Sequence, residues 1–472
     1  MNQLKKNFIY NVAYQILILL LPIITVPYVS RVLGTDGIGV YSYTYSVVYY
    51  FMLIALLGIN NYGNRTIAKC RDDKEKLSKS FFSIYIIQVL MSLIMIAIYI
   101  IYILLFEVNY KFIASIQILY LISNMFDINW FFFGLEKFKL TVSRSTIIKV
   151  ISLIFIFIFV NDKSDLWIYT LILSLSTLLS QLILIPFLYK EVKFVKIALN
   201  DIKRNIKPCL ILFIPVIAVS LYKVMDKIML GNMSDISEVG LYEQAEKITQ
   251  IPLGIITALG TVMMPRISNL VHKGQSNEIK MYLKKSMEFT SFLTLPIVFG
   301  LISIADDFIP IFLGIEFAKS VPILKLLSIT LIFISYANVL RTQFLIPNNM
   351  DKEYTISVIL GAIVNIIINL LLIPKYNSIG ACIGTIFAEA TVYIYQCYIL
   401  RRKLPIFEYI KDSTCFFIES IIMFSIILLI NFMNINICLK IIIKILIGIA
   451  LYAALNYKYI CKFLKIKGKK TE

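Results

Sequence analysis

Histidine is almost missing from this sequence. His272 is alone among 472 residues, beside Lys273 in a basic stretch, so no second imidazole exists to complete a metal site or a proton relay. The seven cysteines (Cys70, Cys209, Cys382, Cys397, Cys415, Cys438 and Cys461) never fall into a C-x-x-C spacing. Neither a disulfide framework nor a zinc site is signalled, and they read as packing residues. G-x-S-x-G and Walker A patterns are absent as well, so the chain reads as a non-enzyme that hydrolyses no ATP by itself and needs no cofactor. Charge is scarce at 16% of residues, and acids are scarcer than bases, 28 against 46. The resulting net charge of +18 is spread over many short segments and not gathered on one face or tail, which argues against a nucleic-acid partner.

What the sequence does hold is apolar surface: 59% hydrophobic residues and a mean hydropathy of +0.83 exclude an ordinary soluble protein. A crossing helix needs about 20 mostly apolar residues, and such runs recur throughout. They predict an all-α polytopic membrane protein of about fourteen transmembrane helices. The first run, Phe8 to Val29, is too long for a signal peptide and lacks a small-residue cleavage site, so it reads as a retained helix. Six spans within 1–189 form a first lobe, the last two near 145–160 and 166–189. A basic connector, 190–207, leads to six more within 208–400, and two extra helices with a basic tail occupy 401–472. With the N-terminus placed inside, the inward segments hold 35 of the 46 Lys and Arg residues. Outward segments then carry acids such as Asp235, Glu238, Glu243, Glu246, Asp306 and Asp307, so both termini are expected in the cytoplasm.

Residues 29–68 and 221–270 follow one plan. In each, an apolar run ends in Leu-Gly, a polar loop follows, Gly-x-Tyr reopens an apolar run containing a second Leu-Gly, and an arginine closes it. Gly39, Tyr41 and Arg65 each lie 201 positions before Gly240, Tyr242 and Arg266. This predicts two homologous six-helix lobes, entering the membrane in the same direction, with a cavity walled by the first two helices of each.

The stretches PIITVPYVSRVLGTDGIGVYSY, LGINNYGNR, DKIMLG, VGLYEQAEKI and TALGTVMMPRISNL resemble the Wzx-type flippases of polysaccharide transport, in the superfamily that also holds multidrug antiporters and lipid II flippases. The resemblance covers essentially the whole chain. It implies a MATE-like fold and an alternating-access carrier that moves undecaprenyl-diphosphate-linked oligosaccharide to the outer leaflet for capsule or O-antigen synthesis. Its implied partners are the lipid-linked oligosaccharide, membrane lipids, and a glycan polymerase with chain-length machinery. Fourteen spans depart from the twelve of many such flippases and match the lipid II branch, where the extra pair is associated with the lipid tail.

Such a substrate needs cations for its diphosphate, amides, hydroxyls and aromatic faces for its sugars, and a lateral opening for its tail. Lys223, Asp226 and Lys227 share one face of the seventh helix, and Arg31 ends the first helix at a comparable height. Arg31, Lys223 and Lys227 together are the candidate diphosphate site; the plain alternative is an internal ion pair with snorkelling ends. Arg65 and Arg266 either greet the diphosphate at the inner leaflet or only mark positive-inside topology. Asp226 with Asn365 and Asn369 forms a candidate Na⁺ site, the alternative being that a lysine one turn away neutralises Asp226 and that H⁺, the membrane potential or consumption of the flipped product drives transport. Asn124, Asp127, Asn129 and Trp130 face either sugar or an interfacial aromatic belt, the belt being the expectation. Two other functions fit the composition: a cation-coupled antiporter, which should carry a carboxylate in its first helix where this chain has none, and a glycan polymerase, which should carry a large outward loop.

Overall fold

In hydrocarbon every backbone N–H and C=O needs a partner within its own segment, and the apolar runs accordingly fold as helices. The computed structural model describes residues 3–107 and 109–461, with side chains from residue 21 onward except at 222, 261 and 262; no strand occurs among the described residues. Twelve helical segments among them are long and apolar enough to cross a membrane. Two of the twelve, Leu21–Cys70 and Asp351–Leu400, run for 50 residues, about twice what one crossing needs. The first is broken at Gly34, φ 68°, and again at Leu57 and Gly58, φ 44° and 74°, and the second at Asn377, φ 51°, so each long run joins helices end to end.

The chain divides into two compact units, Met1–Glu243 and Gln244–Glu472. The first holds α1 (Gln3–Leu56), α2 (Ile59–Cys70), α3 (Lys74–Leu105), α4 (Lys111–Ile116), α5 (Ile118–Met125), α6 (Asn129–Gly134), α7 (Phe138–Phe159), α8 (Leu166–Leu182), α9 (Ile185–Leu188), α10 (Leu199–Met233) and the start of α11 (Ile236–His272). Helix α10, the seventh expected span, packs on α1, α2 and α3, so it belongs to this unit. The joint between α1 and α2 passes through Gly58 at φ 74°, where a Cβ would lie 2.7 Å from the Cys209 carbonyl oxygen on α10. Asp73 caps α3 by accepting from the amides of Lys76 and Glu75, each at 3.1 Å, and the Lys76 amide and ammonium, ahead of the Glu75 amide, hold its carboxyl below the usual carboxylate range. Around this joint Ile59, Ile67, Phe81, Ile84, Trp130, Phe131 and Phe132 form a core with almost no exposed surface.

That core corrects the aromatic-belt expectation. Trp130 donates its indole N–H to Gln88 Oε1 at 2.9 Å and stacks on Phe81, while Asn124 donates to the Met52 carbonyl at 2.8 Å. Rings held by such bonds are interior groups, and of the run Trp130 to Phe133 Phe133 alone reaches 36% exposure. Glu238, Glu243 and Glu246 lie inside α11, because polar residues with helical partners carry that helix back beyond its apolar run, and Asp306 and Asp307 lie near the end of α12 (Ser276–Phe312).

In the second unit follow α13 (Ser320–Leu340), α14 (Asp351–Leu400), α15 (Ile406–Leu429) and α16 (Ile437–Leu455). Helix α14 folds back at Asn377: Ser357 meets Gln396, a Cβ on Gly361 would meet Val392, and one on Gly380 would meet Leu372. Its halves are therefore antiparallel neighbours. Helices α15 and α16, the extra pair, both pack on α12. There Lys444, 1% exposed, donates to Asp307 and to the Ser303 carbonyl at 3.3 Å, and Lys325 pairs with Asp306 at 2.7 Å.

Candidate functional site

The 201-residue offset found in the sequence reappears as physical contact within the first unit. A Cβ on Gly39 would lie 2.0 Å from the Ile236 carbonyl oxygen, and one on Gly240 would lie 2.0 Å from the Thr35 carbonyl oxygen. Thr35 and Ile236 are themselves 201 apart, so residue i meets the counterpart of j while j meets the counterpart of i, as at an isologous contact about a two-fold axis. Only glycine lets the backbones approach so closely. One turn further along, Ser42 donates to Glu243 Oε2 at 2.8 Å, again across an offset of 201. Lys227 Nζ meets the same oxygen at 2.6 Å, and Tyr242 donates to Asp226 Oδ2 at 2.9 Å. Helix α1 beyond Gly34, the end of α10 and the start of α11 are thus locked by two tight backbone crossings and a buried polar network.

Below the lock, Tyr41, Tyr45 and Tyr49 rise along α1 at intervals of four residues. Ring centroids lie 5.8 Å apart for Tyr41–Tyr45 and 6.4 Å for Tyr45–Tyr49, and Tyr120 and Tyr169 close against them at 5.1 and 5.0 Å. The Tyr41 and Tyr120 hydroxyls share a hydrogen bond of 2.9 Å.

The residues singled out from sequence fare differently. Arg31 and Lys223 are exposed on α1 and α10, which pack together, whereas Lys227 is drawn to Glu243. Arg65 is exposed on α2; Arg266 is exposed on α11 and lies over the Tyr282 ring at 4.4 Å. Asp226 is 1% exposed in the first unit, while Asn365 and Asn369 are buried in the α14 hairpin of the second, where Asn369 donates to Asn365 Oδ1 at 3.2 Å. A Cβ on Gly384 would lie 2.0 Å from Asn369 Oδ1, so the opposite half of the hairpin presses on this pair.

A second arrangement escaped the sequence reading. Between α2, α6, α7 and α8 lies a cavity of about 670 Å³, lined by Asn60, Asn61, Asn64, Asn129, Arg144 and Gln181 among others, with Ser145, Lys149, Thr177 and the rings of Trp130 and Phe133. Helix α2 buries Ile59, Gly63 and Ile67 on one face and exposes the three asparagines on the other. Amides are costly against lipid, so this face marks a water-accessible interior. Arg144, 8% exposed, donates to the Ser180 carbonyl, to Gln181 Oε1 at 3.2 Å and to Asn129 Oδ1 at 2.9 Å. Asn129 in turn donates to Asp127 Oδ1 at 2.7 Å and to Gln181 Oε1 at 3.0 Å. Arg144 was hidden because the apolar run near 145–160 is too short for a crossing; extending it by two turns toward Phe138, where α7 starts, takes the arginine into the helix. Glu243 was recognisable as the repeat counterpart of Ser42.

Known proteins with this build place the chain. It is 26% identical over 398 residues to the "Putative O-antigen transporter" of Escherichia coli (strain K12), covering 82% of this chain and 94% of that protein. It is 24% identical over 240 residues, half of each chain, to the "Probable low-salt glycan biosynthesis flippase Agl15" of Haloferax volcanii. Its fold is similar to that of the lipid II flippase MurJ in an inward closed conformation, with TM-score 0.80, 18% identity, and coverage of 97% of this chain and 99% of that one. It is also similar to an inward-facing multidrug MATE transporter of the MOP superfamily, with TM-score 0.61, 15% identity, and coverage of 84% and 95%. Residues 4–271 match the family described as polysaccharide biosynthesis protein, and the chain, a multi-pass membrane protein, belongs to that family.

Proposed function

We propose that the chain is a flippase that carries undecaprenyl-diphosphate-linked oligosaccharide repeat units across the cytoplasmic membrane for surface polysaccharide synthesis. The observation that carries this reading is the polar cavity inside a membrane-spanning unit. Its amides, hydroxyls, aromatic faces and cations are the groups a phosphorylated saccharide requires, and nothing of that kind is needed for an isoprenoid tail. Likeness over most of its length to a protein named as an O-antigen transporter supports the same reading. The carrier works without covalent chemistry, with both termini in the cytoplasm, and hands its product to a glycan polymerase and chain-length machinery. With that orientation the Gly39–Gly240 crossing seals the outer side. Arg31, Lys223 and Lys227 bind the diphosphate as it moves outward, Arg65 and Arg266 meet it at the inner leaflet, and a Na⁺ or H⁺ gradient drives the cycle.

Deletion of the gene in its host, with complementation, tests this. Loss should deplete surface polymer and enlarge the pool of lipid-linked repeat units, and the wild-type chain should reverse both. Arg31→Ala and Lys223→Ala should fail to complement at normal protein abundance, whereas full export by both would make these residues topology anchors. Unchanged polymer and lipid pools in the deletion would remove the flippase reading itself.

A further inference from the structure

The polar cavity has a neighbour on the lipid side. A groove of about 740 Å³ runs between α7 and the end of α8 with α9, walled by Leu140, Ile147, Ile183 and Phe187 and bordered by Lys137 and Lys139. Ile147, Ile183 and Phe187 are 57%, 41% and 38% exposed, as suits side chains that meet lipid. Arg144 and Ile148 line both the groove and the polar cavity. An apolar trough open to the membrane and a hydrophilic chamber inside the unit therefore share one wall, and a buried guanidinium stands in it.

We infer that this groove is the loading site of a polyprenyl-diphosphate lipid, with the tail in the groove, the diphosphate at Arg144 and the saccharide in the polar cavity. This rests on the flippase reading and adds a route of entry to it. Lipid tails gain little from leaving lipid for an apolar groove, so the groove supplies passage and the headgroup supplies affinity. Arginine suits that role, because its planar fork binds phosphate oxygens in pairs and remains charged when buried. Arg144 lies six residues into α7, about 9 Å from its start, the depth of a headgroup drawn just below the interface. Lys137 and Lys139 add positive charge at the rim, where basic pockets between helices attract anionic headgroups. Two carboxylates share the linings and are both engaged: Glu136 pairs with Arg71 at 2.7 Å, and Asp127 accepts from Asn129. Lys137 is anchored by Glu191, which fixes the rim to the segment after α9.

The test uses the full chain in lipid nanodiscs with undecaprenyl diphosphate as probe and undecaprenol and phosphatidylglycerol as competitors. Ser143→Trp, which fills the groove without touching the polar cavity, should weaken binding at least tenfold. Ile158→Trp, on the same helix but outside the groove, should not change it, and Arg144→Lys should bind with intermediate strength. Undecaprenol should compete poorly. Wild-type affinity in Ser143→Trp, or equal competition by phosphatidylglycerol, would overturn the loading site, the second outcome marking a general anionic-lipid contact. Full complementation by Ser143→Trp in deletion cells would overturn this route and leave the flippase reading intact. Probe binding that depends on the groove, in a chain whose deletion leaves polymer and lipid pools unchanged, would overturn the flippase reading instead.

Discussion

Replacing Gly39 or Gly240 with alanine should pry open the lock between α1, α10 and α11. Each new Cβ would sit 2.0 Å from a carbonyl oxygen where ordinary contact begins at 3.4 Å, a shortfall of roughly 1.4 Å. Backbone atoms face it, so no side chain can rotate away and the helices themselves must separate. Overpacking of this kind costs about 1–3 kcal/mol, and about 2 kcal/mol changes a population ratio by a factor of roughly 30. The two crossings belong to one interface, so the double variant should cost less than the sum of the singles. In a chain freed of its seven cysteines, spin labels at Asp36→Cys and Asp235→Cys, two exposed positions flanking the lock, should report one short distance. Gly39→Ala should add a longer population, and Gly240→Ala should do the same because the contact is reciprocal. An unchanged distance distribution in both variants, with both still folded, would refute the reasoning.

Other substitutions follow from the same geometry. Glu243→Gln should destabilise the purified protein by about 3–5 kcal/mol in denaturant titration, since Lys227 is left partly buried without its carboxylate; the Lys227→Met, Glu243→Gln double variant should recover part of that loss. Lys444→Met should loosen α16 from α12 by a similar amount through Asp307, seen as faster hydrogen exchange in α16, and Asp307→Asn in the same chain should offset it. Asp73 has a lowered carboxyl pKa, so the stability it lends α3 is present above its ordinary value of 3.8 and lost as pH falls through the lower folded value. Amides in the first turn of α3 should therefore exchange faster at the acid end, and in Asp73→Ala that acid-dependent increase should vanish.

The fold class was legible because a membrane imposes long apolar runs and the duplicated motif keeps its offset. Gly39 and Gly240 stand out in the sequence as repeat counterparts, and the structure explains them as the two halves of one contact. What stayed hidden depends on partners distant in the chain. Trp130 reads as a belt residue until Gln88, on α3, is seen to accept its N–H. Lys227 reads as a diphosphate ligand or as one end of an internal ion pair, and its carboxylate partner Glu243 is brought to it by the turn between α10 and α11. Arg144 falls where hydropathy ends a helix, because its charge lowers the very signal by which the helix is found; its acceptors Asn129 and Gln181 come from two other helices. The groove beside it consists of ordinary lipid-facing residues, and its continuity with a polar chamber has no trace in any single segment.

The central claim is that this chain moves a lipid-linked saccharide through the membrane. Its most direct test is the purified protein in sealed liposomes loaded with the host's lipid-linked repeat units, the fraction of saccharide open to impermeant periodate being followed over time. Liposomes with the protein should pass from half to nearly all of the saccharide oxidised, and Ser143→Trp should slow that approach. Liposomes in which the oxidised fraction stays at the protein-free level, with the chain folded and correctly inserted, would contradict the account.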